Sequence, residues 1–420
     1  MAHLLPHNIP IPILIVGGGA SGYFAALQAA ESVPGHQIHI VEKGSQVLTK
    51  VRISGGGRCN VTHACFEPRE LASHYPRGQK ELLGPFHQWQ SSDTVSWFMD
   101  RGIALKTEPD GRMFPITDLS STIVDCLENE ARSKGIVVHT QKEVVNLMPA
   151  DSGHWQVQFK DDGIIRAHQC LWAGGGMQSR QVIRMMEAIG HQVIPPIPSL
   201  FTFQVNDRLI EGLQGLSIED VSSHLPWCDI RSHGPLLLTH WGLSGPAILK
   251  LSSWAAREIH DREGPFHCHI HWIPWVRQPS ENLKHYAGTH GKKHVGNAVP
   301  FRLPKRLWHR MLERCKVPAN TPWNQLGPRM LEALVDCLTH TVFKVDGKSR
   351  HKEEFVTCGG IDLRDVQPKT MESRQTPGLY FAGEALNVDA ETGGFNFQAA
   401  WTTGHLAGSA LARRWLAEHP

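Results

Sequence analysis

The sequence predicts an α/β fold in which the first and last parts of the chain build one domain around a parallel sheet. Two observations predict it. Near the start, a short apolar strand leads through a glycine-rich turn into a helix, and the next strand ends in an acidic residue. Near the end, a strand that closes with Gly-Glu is followed by a helix that opens with two glycines. The long stretch between them has a different pattern and predicts an inserted region.

The first of these stretches has the spacing of a dinucleotide-binding turn. The apolar, β-branched run Ile13–Val16 predicts a buried parallel strand, and Gly17, Gly19 and Gly22 follow it at G-x-G-x-x-G spacing. That spacing allows a tight turn, lets the backbone approach a pyrophosphate and packs the next helix, predicted for residues 22–32, close to the strand. The N-terminus of this helix offers N–H groups and a partial positive charge to phosphates.

A second strand and an acid complete this nucleotide-binding pattern. The run Ile38–Val41 is apolar, and Glu42 follows it directly. At this position a carboxylate can accept both hydroxyls of an adenosine ribose. An ordinary βα turn is the alternative interpretation, but strand, glycines, helix, strand and acid in one register favour a dinucleotide.

Residues 50–60 form a second unusual stretch. Three consecutive glycines at 55–57 are flanked by two arginines and followed by Cys59 and Asn60. Such a segment suits a loop pressed against a flat, phosphate-bearing ligand, because side chains at the glycines would block the approach. A flexible surface loop is the alternative, although such loops seldom combine glycines with Arg, Cys and Asn at this density.

The C-terminal region supplies the second half of the predicted ligand site. Gly378–Glu384 predicts a strand that ends in Gly-acid, and Gly393 and Gly394 open a helix predicted to run to about Trp415. The carboxylate of Glu384 could hold ribityl or pyrophosphate-adjacent hydroxyls, and the helix N-terminus could face the N1–C2=O edge of a flavin, where negative charge develops on reduction. Both halves together predict FAD as the cofactor, because a domain that binds NAD alone does not need the C-terminal strand and helix.

The segments between these motifs predict further parts of the same domain. Helical patterns cover residues 71–101 and 120–134, and an apolar strand that begins at Cys170 ends in glycines and returns the chain to the cofactor. That strand is not a second nicotinamide site, because neither a third glycine at the right spacing nor a strand with an acid follows. Before it, four strands are predicted at residues 136–139, 143–148, 155–160 and 164–167. A three-stranded antiparallel addition to the parallel sheet would account for the hairpins among them.

A cluster of prolines at residues 195–198 marks a domain boundary, after which the pattern changes. Residues 200–275 predict mostly short strands, and His267, His269 and His271 lie on one face of such a strand. A metal site there would need a partner cluster. None is visible in the sequence, which therefore favours a plain strand and no metal.

Residues 284–346 predict a basic helical region within the insertion. From residue 284 to residue 352 the chain has 14 Lys and Arg residues against 4 Asp and Glu residues, although the whole chain has a net charge of only +2. This polarisation suggests a segment that meets a polyanion. A solvated basic helical face is the alternative.

Cysteine content and hydropathy bear on the compartment of the protein and on whether it spans a membrane. The nine cysteines are scattered and contain no C-x-x-C pair. This usage predicts reduced thiols in a cytoplasm and no disulfide framework. No run of about 18 uninterrupted apolar residues occurs, so we expect no membrane-spanning helix. The sequence leaves the oligomeric state open.

Together these motifs resemble the YhiN/BaiN-like family of NAD(P)/FAD-dependent oxidoreductases, over nearly the whole chain. Cys358 and Asn387 depart from the family pattern, in which alanine and an acid are the more usual residues. Seven stretches in order carry the resemblance, namely Val16–Tyr23, Lys50–His63, Gly111–Leu119, Leu236–Lys250, Val356–Asp362, Pro368–Ala390 and Thr392–His405.

The resemblance implies a glutathione-reductase-type FAD-binding Rossmann domain, interrupted by an insertion with a small β domain and a helical domain. It agrees with a division into residues 1–195 and 355–420 for the FAD-binding domain and 196–354 for the insertion, whose helical part covers about 276–346. The family also implies FAD with NAD(P)H as its transient reductant. Activities linked to it include reduction of steroid-like enones, oxidation of amino ketones and dihydrouridine formation in ribosomal RNA.

We therefore predict an enzyme in which reduced FAD delivers hydride to an activated C=C bond, with a uridine of ribosomal RNA as the leading substrate. In this interpretation the basic insertion binds phosphates, and Trp308 or Trp323 stacks on bases. The alternatives are a small enone or amino ketone as substrate, and an RNA-binding protein with structural FAD. The candidate proton donors are Cys59, Cys358 and His240, each next to glycines.

The predicted binding residues come from the motifs above, together with one residue of a hairpin strand. For the cofactor they are Gly17, Gly19, Ala20, Ser21, Gly22, Glu42, Lys43, Arg52, Ser54, Gly55, Gly56, Gly57, Arg58, Cys59, Asn60, Val144, Ala173, Gly174, Gly175, Gly383, Glu384, Gly393, Gly394, Phe395 and Asn396. For RNA they are Lys292, Lys293, Arg302, Lys305, Arg306, Arg310 and Arg314.

Overall fold

The chain divides into two compact units. The computed structural model describes residues 9–150, 153–348 and 356–419. The first unit comprises Met1–Ile197 and Val356–Pro420, and the second unit comprises Pro198–Phe355. Two distant parts of the chain therefore build the first unit, and the second unit is inserted between them.

The bounds of the strands and helices are as follows. The strands are β1 (Ile11–Val16), β2 (Ile38–Val41), β3 (Thr62–His63), β4 (Leu105–Thr107), β5 (Arg112–Pro115), β6 (Val137–His139), β7 (Val144–Pro149), β8 (Trp155–Phe159), β9 (Ile164–Trp172), β10 (Val193–Ser199), β11 (Phe203–Gln204), β12 (Ser217–Leu225), β13 (Ile230–Leu238), β14 (Gly242–Ser244), β15 (Phe266–His271), β16 (Thr341–Val345), β17 (Gly347–Lys348), β18 (Val356–Ile361) and β19 (Leu379–Phe381). The α-helices are α1 (Ala20–Ala29), α2 (Thr49–Gly57), α3 (Pro68–Ser73), α4 (Gln79–Phe86), α5 (Ser91–Met99), α6 (Ser120–Ser133), α7 (Arg180–Ala188), α8 (Pro246–Trp254), α9 (Ala256–Asp261), α10 (Pro279–Thr289), α11 (Lys305–Arg314), α12 (Pro328–Thr339) and α13 (Phe395–Glu418).

A mixed sheet forms the centre of the first unit, in the order β6-β2-β1-β9-β8-β7, with β19 on β9. Strands β6, β2, β1, β9 and β19 pair in parallel, whereas β7, β8 and the first half of β9 pair antiparallel. Val41, Val16, Trp172 and Phe381 are register neighbours at the carboxyl edge of the parallel strands. The segments that follow these four strands therefore meet at the edge where α/β sheets bind their ligands.

A close contact between α1 and α13 joins the first and last parts of the chain. A Cβ on Gly404 would lie 2.6 Å from the carbonyl oxygen of Ser21, and a Cβ on Gly408 would lie 2.3 Å from that of Ala25. Only glycine permits this approach of the two helices. Residues from both parts of the chain share one apolar core, so the two parts fold as one body.

Two predicted elements of the first unit differ in the structure. Residues 164–172 form one strand, β9, where the sequence predicts two. Burial alternates in its first half and is continuous from residue 169 onwards, because β1 and β19 flank the second half in the sheet centre. The helical stretch predicted for residues 71–101 is divided into α3, α4 and α5, and Gly78 with a φ of 89° precedes α4.

An antiparallel sheet organises the second unit, in the order β16-β15-β12-β13-β14-β11-β17. Its core includes Trp272, Trp308 and Trp323, each at most 1% exposed. The prediction that Trp308 or Trp323 stacks on bases is therefore wrong, because a ring without exposed surface cannot contact a ligand. Each indole donates a hydrogen bond to a backbone carbonyl, Trp308 to Val295 and Trp323 to Ala298.

Three further features bear on function. Across the described residues, no helix combines the length and the apolar character needed to cross a membrane. Within the same ranges, no group of three His, Cys, Asp or Glu side chains is arranged to hold a metal ion. No disulfide joins the nine cysteines, all of which lie among the described residues.

Candidate cofactor site

Glycines shape the turn after β1. A Cβ on Gly17 would lie 2.3 Å from the carbonyl oxygen of Ala173, and a Cβ on Gly22 would lie 2.0 Å from that of Gly17. Gly17 also has a φ of 114°, which side chains disfavour. At Gly19, by contrast, no atom lies within 4 Å of the Cβ position. The turn is therefore packed against the protein on one side and open at Gly19.

The N-terminus of α1 lies at this opening. Its N-cap is Gly19, and no side chain caps the helix. Ala20 and Ser21 begin the first turn, where amide groups have no acceptor within the helix and the dipole is positive. Ser21 is buried, because Gly383 packs so closely that a Cβ there would lie 2.5 Å from Ser21 Oγ. This end of α1 fits a phosphate group.

Glu42 is held in place at the end of β2. Its two carboxylate oxygens accept hydrogen bonds from Gly18 N at 2.9 Å and Gly44 N at 2.7 Å. A carboxylate has about four lone-pair sites, so acceptor capacity remains for ribose hydroxyls. Lys43, the next residue, is exposed. Lys142 N donates to Glu42 O at 2.8 Å, and this bond holds the start of β7, with Val144, near Glu42.

The stretch at residues 50–60 is helical at first, which corrects the prediction of a loop. Helix α2 becomes irregular at Ser54, and Gly55, Gly56 and Gly57 have φ values of 57°, 70° and 85°. No atom lies within 4 Å of a Cβ position at Gly56 or Gly57. The non-helical backbone therefore begins at Ser54 and includes the three glycines, of which Gly56 and Gly57 leave open space that a flat ligand could approach.

The two arginines of this stretch pair with acids of the same unit. Arg52 Nη2 lies 2.8 Å from Glu128 Oε1. Arg58 Nη1 lies 2.7 Å from Glu108 Oε1, and its guanidinium lies over the ring of Phe114 at 4.0 Å. Both cations are thus compensated by acids within the protein, and their contact with the cofactor stays a prediction.

The segments after β9 and β19 meet the turn after β1. Ala173 N donates to Val16 O at 2.8 Å, and Gly174 and Gly175 follow it. Glu384, just after Gly383, accepts a hydrogen bond from Thr357 N at 2.7 Å and forms an ion pair with Lys50. The structure therefore brings the predicted cofactor residues of four strand ends to one edge of the sheet.

The N-terminus of α13 is a second helix end without a side-chain cap. Its N-cap is Gly394 with a φ of 93°, and a Cβ there would lie 2.5 Å from Thr62 O. The side chain of Asn396 is used internally, because it accepts from Ala390 N and donates to Ala390 O, both at 3.0 Å. The Asn396 side chain thus closes the loop before α13.

Two histidines that the sequence did not predict as site residues lie at this helix end. The rings of His63 and His74 stack on Phe395 with centroid distances of 4.5 Å and 4.1 Å. His74 Nδ1 lies 2.5 Å from Glu391 Oε1. His63 closes a motif that already looked unusual and could have been noticed. His74 lies in a helical pattern that gives no signal of its role.

The three candidate proton donors are divided between the units. Cys59 and Cys358 belong to the first unit and have no exposed surface. Burial raises the pKa of the Cys59 thiol to about 12, and a hydrogen bond with Ser54 opposes this only in part. His240 belongs to the second unit, where it is exposed. The choice among them stays a prediction.

The predicted RNA-binding residues lie in the second unit, around α11. Lys292, Lys293 and Arg302 precede the helix and are exposed. On the helix, Arg310 donates to Glu211 O at 2.9 Å, and Arg314 pairs with Asp207 at 3.0 Å. Two exposed residues of the first turn contact acceptors nearby, Lys305 the side chain of Asn297 and Arg306 the carbonyl of Gly212.

Known proteins match this chain along nearly its whole length. The family model described as "HI0933-like protein Rossmann domain" matches residues 11–410. The chain belongs to the HI0933-like Rossmann family. It is similar to the ribosomal RNA dihydrouridine synthase of Escherichia coli, with 30% identity over 93% of this chain and 95% of that protein. It is also similar to the 3-dehydro-bile acid delta(4,6)-reductase of Clostridium scindens, with 27% identity over 95% of this chain and 98% of that protein.

One solved structure shares the fold of this HI0933-like protein. The 3-ketosteroid-delta4-(5alpha)-dehydrogenase of Rhodococcus jostii matches with a TM-score of 0.53 and 12% identity, over 97% of this chain and 98% of that chain. At this identity the match concerns the fold alone. The predicted family is confirmed by the sequence matches, and with it the predicted class of enzyme, an oxidoreductase.

Proposed function

We propose that this HI0933-like oxidoreductase binds FAD, is reduced by NAD(P)H and transfers hydride to a uridine of ribosomal RNA. The observation that carries the FAD part is the pair of uncapped helix N-termini, α1 and α13, in one unit. The relative with 30% identity, named a ribosomal RNA dihydrouridine synthase, supports the substrate. When bound, FAD supplies a two-electron carrier between the nicotinamide and the electron-poor C5–C6 bond of uracil.

The residues of the first unit fit the parts of FAD. The open turn at Gly19 and the N-terminus of α1 would hold the pyrophosphate. Glu42, already oriented by two backbone N–H groups, would accept the adenosine ribose hydroxyls. Glu384 would hold ribityl hydroxyls after exchanging its contact with Lys50. The N-terminus of α13 would face the pyrimidine edge of the flavin, where its dipole favours negative charge.

The second unit would supply the contact with RNA. Lys292, Lys293 and Arg302 are exposed, and no acidic side chain of the described ranges pairs with them. Cations in this state can neutralise phosphates and release counterions, which gives salt-dependent and sequence-independent affinity. The target uracil must leave its stack before a flavin can reach it, as for other enzymes that modify bases.

A small-molecule enone is the second candidate substrate. The relative from Clostridium scindens, named a bile acid reductase, favours it. An enone and a uracil share the required chemistry, because each has a C=C bond polarised by a carbonyl group. The two substrates differ in their need for the basic residues of the second unit, since a small uncharged enone gains nothing from phosphate contacts.

The direct test measures dihydrouridine. Protein loaded with FAD is incubated under anaerobic conditions with NADH or NADPH and with ribosomal RNA from a strain that lacks the gene. We expect dihydrouridine at a defined position by mass spectrometry and reoxidation of the flavin by RNA. Reoxidation by a steroid enone with no gain of dihydrouridine would replace the RNA proposal with the second candidate. Purified protein that cannot be loaded with FAD would refute both.

A further inference from the structure

Two cysteines of the second unit lie next to each other, although they belong to the ends of different helices. Cys315 is the C-cap of α11, and Cys337 lies in the last turn of α12. Cys315 Sγ donates to Ala333 O at 3.4 Å. In an α-helix that carbonyl also accepts from the N–H group four residues later, here that of Cys337, whose side chain leans back towards the same turn. The two sulfur atoms therefore meet over one turn of α12, where their side chains are hydrogen-bonded to each other.

The pair combines a partly accessible thiol with a buried one. Cys315 is partly buried and packs against the core of the second unit from outside. Cys337 belongs to that core and is 7% exposed. A small reagent from solution can therefore reach the pair at Cys315, while the second sulfur is held against it.

The surroundings of the pair favour one negative charge on it. The hydrogen bond with Cys315 lowers the pKa of the Cys337 thiol, although burial opposes this shift. The hydroxyl of Thr341 also favours the Cys337 thiolate. Of the charged neighbours, Arg314 favours the thiolate and Asp336 opposes it. The same hydrogen bond raises the pKa of Cys315, so the two sulfurs share one proton. A thiolate is the form of cysteine that reacts with oxidants.

We propose that Cys315 and Cys337 are a redox-sensitive thiol pair, which a hydroperoxide converts into a disulfide between the end of α11 and α12. The thiolate sulfur attacks one oxygen of the hydroperoxide ROOH, the O–O bond breaks, and the released alkoxide takes a proton from solvent and leaves as ROH. The attacked sulfur is then a sulfenic acid. The second sulfur attacks it, the S–O bond breaks, and the hydroxyl group leaves as water with the remaining thiol proton. The two thiols are thus oxidised by two electrons, and the peroxide is reduced by two.

The disulfide would fix the end of α11, the helix that carries part of the predicted RNA-binding set, to its neighbour α12. A scattered set of cysteines in a reducing compartment forms no permanent disulfide framework, but a close pair of this kind can respond to a transient oxidant. The inference rests on the second unit alone and does not depend on the proposed binding of FAD or RNA.

The test treats the reduced, full-length protein with hydrogen peroxide and maps its tryptic peptides by mass spectrometry. Trypsin cleaves after the basic residues at 314, 316, 329 and 344, so a disulfide would join residues 315–316 to residues 330–344. We expect this linked peptide at the summed mass of its two parts less two hydrogen atoms. Two of the nine thiols should be lost, and dithiothreitol should restore both.

Cys337→Ser removes one sulfur of the pair and should reduce the linked peptide to background. Cys228→Ser is the matched control, because Cys228 is also partly buried in the second unit, but burial raises its pKa and its sulfur donates to Leu225 O at 3.7 Å. In this variant we expect the link to form as fast as in the wild type.

Two results would overturn the proposal. One is a native wild type in which peroxide produces no link between residues 315 and 337, or produces it only after unfolding in urea. The other is an equal loss of thiols in the wild type and in Cys337→Ser, because other cysteines would then account for the reaction.

Discussion

The glycine-rich stretch of the first unit and the segment before α11 of the second unit hold their cationic side chains in different ways. In the first unit, Arg52 and Arg58 of the glycine-rich stretch pair with Glu128 and Glu108. In the second unit, Lys292 and its neighbours before α11 are exposed and have no acidic partner among the described residues. The glycine-rich stretch of the first unit therefore uses its two arginines to fix its own fold. The segment before α11 in the second unit leaves its positive charge accessible to other molecules.

This difference indicates two ways to bind phosphate. The first unit offers backbone N–H groups at glycine turns and helix ends, a rigid arrangement suited to one ligand in one pose. The second unit offers long side chains, which suit a polyanion of variable shape. We therefore expect backbone changes to have the largest effects on ligand binding in the first unit. Changes in side-chain charge should affect ligand binding mainly in the second unit.

The largest expected effect comes from adding one methyl group to the turn after β1. Gly22→Ala would place a Cβ 2.0 Å from the carbonyl oxygen of Gly17, so the turn must move. Overpacking of this kind costs about 1–3 kcal/mol or more, and we expect FAD affinity to fall at least a hundredfold. Flavin absorbance after dialysis and urea unfolding measure the two quantities. FAD binding equal to that of the wild type would contradict the backbone mode of binding.

Gly19→Ala is the matched variant, because no atom lies within 4 Å of its Cβ position. The backbone at Gly19, with a φ of −90°, accepts alanine without strain. We expect stability to stay within about 0.5 kcal/mol of the wild type, as for substitutions in open space. FAD affinity should nevertheless fall, since the new methyl group occupies the space proposed for the pyrophosphate. Unchanged affinity would move that phosphate site elsewhere.

The second prediction concerns whether the aromatic residues of the second unit are core or ligand contacts. Trp308→Ala removes a side chain with no exposed surface, and we expect a loss of about 3–5 kcal/mol in the free energy of unfolding. Trp241→Ala, at a position 50% exposed in the same unit, is the control and should cost less than about 1 kcal/mol. Urea unfolding followed by far-UV circular dichroism checks both. A Trp308→Ala protein as stable as the wild type would contradict the buried placement.

Local patterns explain what the sequence could predict. The strand Ile38–Val41 has the predicted bounds, and the first helix begins two residues before its predicted start. Both follow from the spacing of apolar residues and glycines within a short window. The helix at the start of α2 was not predicted, because the glycines that follow it dominate the composition of that stretch.

Contacts between residues far apart in the chain explain what the sequence could not predict. His74 and Glu391 are 317 positions apart, and neither lies in a motif that names the other. The burial of Trp308 likewise depends on packing within the second unit, whereas its neighbours in sequence are basic and suggest a surface. Amphipathic spacing in α11 puts Leu307, Trp308, Met311 and Leu312 on the buried side. This spacing was available in the sequence, but the prediction relied on the number of basic residues instead.

The third prediction compares histidines of the two units by their effect on stability. Burial lowers the pKa of His405 to about 4, and its ring stacks on Trp89 at 4.0 Å. The native state thus binds fewer protons than the unfolded state below the ordinary histidine pKa of about 6.5. The contribution of His405 to the free energy of unfolding is fully present above pH 6.5 and is lost as the pH falls towards 4. We expect a loss of about 2 kcal/mol, after allowance for partial exposure.

His405→Phe keeps an aromatic ring against Trp89 and removes the titration. Its unfolding free energy should depend less on pH between 6.5 and 4 than that of the wild type. His285→Phe, at an exposed position of the second unit, should retain the full pH dependence. Urea unfolding at several pH values measures all three proteins. Equal pH dependence in wild type and His405→Phe would show that another group controls acid stability.

The smallest expected effect concerns the exposed lysines before α11. For single-stranded nucleic acid, each neutralised phosphate contributes about 0.7 to the slope of log K against log salt concentration. Lys292→Ala combined with Lys293→Ala should therefore lower the slope for ribosomal RNA by about 1.4. Lys142→Ala with Lys160→Ala removes the same charge from the first unit, where each lysine pairs with an acid, and should leave the slope unchanged. Equal losses in both double variants would remove the distinction between the units, because total charge alone would then govern binding.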